Sequence, residues 1–241
     1  AGERILEGFR TEPEVSTKGS SIDLLTKYDL AAEEILRARL VDAFPEHGIV
    51  GEEGDKVVRE LTWYIDPIDG TTNYAHGHPF FCVSMGLYRQ DHGLVAVIFA
   101  PALDVRWTAI RGSGAERNGE LCRVSSTEGL GKALGATGFP YDRASKADNN
   151  LREFGRFVTR CRGIRRCGSA ALDLALVADG TYDFYWEKDL NAWDMCGGAL
   201  LVEEAGGRLS DYRGRAADPR KGQLVASNGY VHDAVLELLG G

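Results

Sequence analysis

Apolar residues recur at helical spacing through Leu30, Ile35 and Leu40, so residues 21–44 are predicted to form a helix with Asp29 as its N-cap. The opening "AGERILEGFR" has the pattern of the middle of an amphipathic helix, and a stretch upstream of it is expected. Leu61, Trp63, Tyr64 and Ile65 suit a pleated, half-buried strand, which should stop near Asp66 because Pro67 cannot donate to a ladder. Residues 80–88 and 94–100 read as two strands joined through "RQDHG". Residues 105–110 and 121–124 read as a further antiparallel pair turning at "RNGE". From about residue 130 the pattern changes. "ALGATG", "GIRRCG" and "YDFYWE" read as strands, alternating with helical "NNLREFGRFVTRC", "SAALDLALVADG" and "WDMCGGALLVEEAGG". Two more strands, near 208–210 and 224–226, and a closing helix complete the chain.

This pattern predicts an α/β protein whose first half is α+β, helices on an antiparallel sheet, and whose second half is a more parallel α/β unit. Two sub-domains are expected, 1–130 and 131–241, with the seam within 127–135. A chain of 241 residues can bury a large core, and 44% hydrophobic with 27% charged residues is ordinary for a soluble globular protein. No long apolar run marks a membrane span, and no basic-then-apolar leader is present. The net charge of −8 argues against nonspecific nucleic-acid binding. The five cysteines (Cys82, Cys122, Cys161, Cys167, Cys196) form no C-x-x-C pair, and several lie in apolar runs. A reducing cytoplasm is therefore expected.

Carboxylates stand in three separate places: "GEEG" at 51–54, "DPIDG" at 66–70 and "WD" at 193–194. Exposed Glu pairs are usually solvated surface, and Asp-Pro or Asp-Gly pairs are usually turns. Asp194 alone would be a comfortable first-turn residue of a helix. The first two places share a feature, because "IVGEEG" and "WYIDPID" each end an apolar strand in two acids. If Glu52, Asp66, Asp69 and Asp194 converge, anions about 5 Å apart repel by roughly 3 kcal/mol at an effective dielectric near 20. Such a cluster is tolerated when cations sit in it. All-oxygen ligation suits hard ions, Mg²⁺ above all where phosphate and water complete the shell. Backbone N–H groups of Gly70, Thr71 and Thr72, opening a short helix, would then face the phosphate. Other motifs fail: the chain has no Walker A loop, no dinucleotide fingerprint, no G-x-S-x-G and no H-E-x-x-H. His76 and His78 read as loop packing rather than ligands, since no third soft ligand is near.

"WYIDPIDGTTNYAHGHPFFCVSMGL" and "WDMCGGALLVEEAGG" resemble the two signature motifs of the inositol monophosphatase family of Mg²⁺-dependent, lithium-sensitive phosphatases. "KGSSIDLLTKYD", "IVGEEG" and "RRCGSAALDLALVADGTYDFYWE" resemble its other segments, in order over nearly the whole chain. The resemblance implies a layered αβαβα sandwich, a homodimer, and two or three Mg²⁺ per site. It implies that Glu52, Asp66 and the Ile68 carbonyl hold one metal, that Asp66, Asp69 and Asp194 hold a second, and that Glu52 with water holds a weaker third. The 68–71 backbone (Ile68, Asp69, Gly70, Thr71) and the Thr71 side chain would contact phosphate, and Thr71 with Asp29 would orient the attacking water. Gly168, Ser169, Ala170 and Glu187 would line the alcohol side, with Asp194 reaching a hydroxyl. Lys18 would lie in an upstream loop near the metals.

The expected function is hydrolysis of myo-inositol monophosphate, a small phosphate monoester, by metal-activated water without a covalent phosphoenzyme. The alternatives are relatives acting on fructose 1,6-bisphosphate, histidinol phosphate or 3′-phosphoadenosine 5′-phosphate. "GFPYD" at 138–142 replaces a hydroxyl-rich stretch of some relatives and is expected to reshape the pocket. A third alternative is a non-catalytic metal or sugar-phosphate binding regulator, which would be expected to lack a ligand or Thr71; this chain has them all.

Overall fold

Strand-forming residues between 82 and 122 are separated by turns too short for helices, so each of these strands lies beside its predecessor. The computed structural model describes residues 1–11, 15–17 and 24–240. The chain opens with helix α1 (Gly2–Gly8), a small antiparallel pair, β1 (Val15–Thr17) and β2 (Leu24–Thr26), and helix α2 (Lys27–Ala43). Strands β3 (Gly48–Gly51) and β4 (Leu61–Asp69) follow, then the short helix α3 (Thr71–Ala75). Next come β5 (Cys82–Arg89), β6 (His92–Ala100), β7 (Val105–Ile110), β8 (Gly114–Arg117) and β9 (Glu120–Cys122). Strands β3 to β9 form one sheet in chain order, antiparallel throughout except for the parallel pair β3–β4.

In the second half the elements alternate: β10 (Leu134–Thr137), α4 (Leu151–Val158), β11 (Gly163–Arg165), α5 (Ala170–Ala178) and β12 (Phe184–Lys188). Then come α6 (Ala192–Glu204), β13 (Arg208–Ser210), β14 (Gln223–Ser227) and α7 (His232–Gly240). Their sheet runs β11-β10-β12-β14-β13. Only the pairs of β10 with β11 and β12 are parallel; β14 runs antiparallel to both neighbours, so this half is less parallel than the alternation suggested.

Helices α5 and α6 lie between the two sheets and touch both. Helices α1 and α2 cover the outer face of the first sheet, and α4 and α7 that of the second. The result is the five-layered sandwich expected from the sequence. Helix α5 is apolar on nearly every side, as a helix enclosed on all sides must be. Its Leu172, Leu174 and Val177 pack with Met195 and Leu200 of α6, Trp107 of the first sheet and Tyr185 of the second. Each such fully buried side chain contributes about 1.5–3 kcal/mol. Among the described residues no helix is long and apolar enough to cross a membrane.

Three expectations change. Strand β4 does not stop at Asp66. Its register with β5 holds from Leu61–Arg89 to Asp66–Ser84, then shifts to Asp69–Cys82. On its other side β3 ends opposite Ile65, so Pro67 sits at an irregularity where no donor is required. The second helix begins at Lys27 with Thr26 as its N-cap, and residues 21–23 lie outside the described residues. Asp29 is the third helical residue, where a capping-box acid reaches back. Finally, "RNGE" joins β8 to β9, and β7 pairs with β8, a short polar strand that the pattern left unassigned.

Candidate active site

Strand ends and helix starts meet at one cleft between the layers. It is lined by Glu52 after β3, Asp66 and Asp69 at the end of β4, residues 70–72 opening α3, Gly168–Ala170 opening α5, and Asp194 in the first turn of α6. Glu187, at the end of β12, stands at its far side. Apart from Asp29 and Lys18, the predicted site residues line one cavity. Ser169 also donates its hydroxyl to Asp69, and Lys18 lies outside the described residues. His76 and His78 are exposed and not part of the lining.

Each aspartate is held by an amide or hydroxyl. The Ile68 N–H donates to Asp66 Oδ1 at 2.9 Å. Asp69 Oδ2 accepts from the Ser169 hydroxyl at 2.7 Å and from the Ala171 N–H at 2.6 Å, at the positive end of α5. The Asn191 N–H donates to Asp194 Oδ2 at 2.6 Å. Glu52 is placed indirectly. The buried Glu33 of α2 accepts from the N–H groups of Glu53 (2.8 Å) and Gly54 (2.7 Å) and from Arg37 Nε (2.6 Å), pinning the loop that carries Glu52.

Burial, first of all, raises the carboxyl of Asp66 well above its ordinary range, and the charges of Glu52, Asp69 and Asp194 add to it. Asp194 is raised well above its range for the same reasons, burial first and then Asp69. Asp69 is pushed up to about 6 by burial, against the opposing pull of its bonds to Ser169 and Ala171. Among the described residues these groups do not close into a finished shell of three or more metal-ligating side chains. The donor chemistry nevertheless fits a hard divalent cation: the lining offers carboxylates and the Ile68 residue, with no cysteine or histidine.

Thr71 and Asp29 meet as expected. The Thr71 hydroxyl lies 3.2 Å from Asp29 Oδ1 and 3.1 Å from the Ile68 carbonyl, so its single proton is taken by one of these oxygens and its own oxygen is left to accept. Asp29 is buried, and its Oδ2 accepts from the Thr26 N–H (2.8 Å) and hydroxyl (2.6 Å). The residue both closes the capping box and reaches the site.

On the alcohol side, Glu187 Oε2 accepts from the Tyr185 hydroxyl at 2.6 Å, and burial pushes its carboxyl up to about 7 against the opposing pull of that bond and of Arg166. Gly138 makes room for it, since a Cβ there would overlap the Glu187 carboxylate. Phe139, Pro140 and Tyr141 of "GFPYD" do form part of the wall.

The sequence model of the inositol monophosphatase family matches residues 1–240. The chain belongs to the inositol monophosphatase family. It is 40% identical over 242 residues to an inositol-1-monophosphatase of Synechocystis, covering 99% of this chain and 84% of that one. It is 42% identical over 244 residues to the Nus factor SuhB of Pseudomonas aeruginosa, covering 98% and 90%. The inositol monophosphatase structure from Anabaena (Nostoc) superposes with a TM-score of 0.86 at 43% identity, over 88% of this chain and 85% of that one.

Within this member of the family, four residues near the site escaped the sequence reading: Glu33, Asn73, Arg166 and Asp173. Glu33 follows no motif, and its one signal is a carboxylate one helical turn before Arg37. Asp173 lies inside α5 behind Glu187, fully buried, and its Oδ1 has no hydrogen-bond partner among the described residues. Burial raises its carboxyl well above the ordinary range, with the charges of Glu187 and Asp69 adding to the effect. A folded-state pKa above the unfolded one means stability is fully present below about pH 4 and is lost as pH rises toward the folded value. Asp173→Asn is therefore expected to melt about 2–4 °C above wild type at pH 8, equivalent to roughly 1 kcal/mol, with the gap closing toward pH 4. A variant that melts lower at every pH would mean that the carboxylate bonds a group its amide cannot.

Proposed function

We propose that this chain is a Mg²⁺-dependent phosphomonoesterase acting on myo-inositol monophosphate, as a cytoplasmic homodimer. The observation that carries the reading is the gathering of Glu52, Asp66, Asp69 and Asp194 in one cavity with the backbone opening of α3 and the Thr71–Asp29 pair. Family membership supports the phosphatase chemistry, and the name of the Synechocystis relative supports the inositol substrate.

Glu52, Asp66, Asp69 and Asp194, with the Ile68 carbonyl, would hold the divalent cations. Bound there, they would supply Lewis-acid stabilisation of the charge on the transferring phosphoryl group. The protein does the rest. Amides of residues 70–72 hold the phosphate oxygens. Thr71 Oγ accepts a hydrogen bond from the attacking water, and Asp29 fixes the direction of that acceptor, which places the water in line. Glu187 accepts from hydroxyls of the departing alcohol. Phosphate release in Mg²⁺ from myo-inositol 1-phosphate, fructose 1,6-bisphosphate, histidinol phosphate and 3′-phosphoadenosine 5′-phosphate tests the reading. A preference for any of the last three would replace the substrate, and no release from any ester would remove the activity. The Nus factor name of the Pseudomonas relative favours a second reading, a protein-binding role held beside catalysis. A purely binding role is disfavoured by the complete set of carboxylates and Thr71.

Glu187 is open to a separate test. A site built to bond a hydroxyl discriminates against ligands that lack it, because its own group is then left unpaired. Glu187→Gln is expected to cut turnover of inositol monophosphate roughly tenfold or more while sparing an aryl phosphate. Equal losses on the two esters would make Glu187 a structural residue.

A further inference from the structure

Six acidic side chains line the cavity, Glu52, Asp66, Asp69, Glu187, Asp189 and Asp194, and among the described residues a single cationic one, Arg166, stands with them. Arg166 lies in the turn between β11 and α5, on the alcohol side, where its charge acts on Glu187 and Asp173. Among the described residues no hydrogen bond or ion pair ties its exposed guanidinium to the protein. The turn itself is well anchored. Asn73 Nδ2, from the helix that follows the phosphate-side amides, donates to the Cys167 carbonyl at 2.8 Å and to the Phe80 carbonyl at 2.6 Å. Gly168 adopts φ +87°, and a Cβ there would stand 2.6 Å from Arg166 Nη1, so the guanidinium occupies space that a side chain at 168 would take.

We propose that Arg166 is a specificity-determining residue that binds a second phosphate group carried by the alcohol portion of the substrate. This inference rests on the phosphomonoesterase reading and not on inositol as the alcohol, which a second phosphate on the substrate would replace. A neutral polyol needs only an acceptor for its hydroxyls, and Glu187 is that acceptor. An unpartnered cation among acids adds something else: it lowers the negative potential around Glu187, on the alcohol side of the cavity. Its planar fork matches phosphate oxygens two at a time. An exposed guanidinium is hydrated, and a phosphate dianion, with twice the charge of a carboxylate, competes better for it. Anchoring by Asn73 fixes the span between the reacting phosphate and the second one.

The test compares wild type and Arg166→Gln in Mg²⁺ on fructose 1-phosphate, fructose 1,6-bisphosphate and p-nitrophenyl phosphate. Wild type is expected to prefer the bisphosphate to fructose 1-phosphate. Arg166→Gln should lower kcat/KM on the bisphosphate by about tenfold or more, mainly through KM, and leave the other two esters within about twofold. Arg166→Lys should restore part of the loss. Equal losses on all three esters, or an unchanged preference for the bisphosphate, would overturn the assignment. If wild type releases no phosphate from these three or from myo-inositol 1-phosphate, the phosphatase reading fails by itself. Calorimetric binding of fructose 1,6-bisphosphate against fructose 1-phosphate, in wild type and Arg166→Gln, then decides Arg166 by the same comparison.

Discussion

Replacing Asp69 with asparagine is expected to lower kcat/KM for phosphate release by a factor on the order of 10²–10³ and at the same time to stabilise the protein in a chelator. The two effects have one origin. Asp69 is almost fully buried among Asp66, Asp194 and Glu52, and its carboxyl is raised to about 6 chiefly by that burial. Without cations its charge is a cost of folding, which is absent below about pH 4 and grows as pH rises through about 6. The neutral variant escapes this cost. In EDTA, Asp69→Asn should therefore melt above wild type at pH 7.5, and the difference should vanish toward pH 4. With Mg²⁺ the order should reverse, because wild type gains binding free energy that the variant has lost. Thermal melts with and without Mg²⁺ at both pH values decide the matter independently of turnover. A variant equal to wild type in activity and in Mg²⁺-dependent melting would remove Asp69 from the metal site.

The second large effect concerns the water. Thr71→Ala and Asp29→Asn are each expected to reduce kcat roughly tenfold or more with KM little changed, since both act on the acceptor that aims the water. The double variant should lose little beyond either single one, as residues acting in series do. Asp29 carries an added consequence, because its Oδ2 also closes the capping box with Thr26. Its asparagine variant should melt lower, by the equivalent of about 1 kcal/mol, and Thr71→Ala should not share that shift. Additive losses in kcat would separate the two residues and leave Asp29 a helix-capping residue.

Much of the site was legible because its acids stand where strands end. "IVGEEG" and "WYIDPID" each show an apolar run closing in carboxylates, and the two runs are the parallel neighbours β3 and β4. Pro67 was misleading for a local reason. A proline rules out a donor but not a strand, and the absence of a β3 partner beyond Ile65 shows only in three dimensions. Asp29 was placed on the right helix and in the wrong position, because Thr26 and Asp29 both satisfy the preferences of a helix start and only the geometry separates cap from third residue. Strand β8 was missed because "GAER" is short and half polar, so it has no alternation to detect. Arg166 and Asn73 lie inside motif-like segments and Glu33 one helical turn before Arg37, but nothing in the sequence marks what each of them touches. Each acts across a large sequence gap, as Asn73 does on the Cys167 carbonyl, and such pairings are set by the packing of layers.

Asp29 in α2 and Asp194 in α6 share a position, the third residue of a helix, reaching back to an N–H three residues earlier. Two long-separated helices therefore start with side chains that the proposed chemistry uses. A helix start is usually a place where sequence drifts freely, because Ser, Thr, Asp and Asn caps substitute for one another at little cost. Here that freedom is closed at both sites. Consensus-style stabilisation, which commonly begins by improving helix starts, would trade activity for melting temperature at residues 29 and 194. Fraying of either first turn, visible as faster amide exchange at Thr26 or Asn191, would be felt directly as disorder in the groups proposed for catalysis.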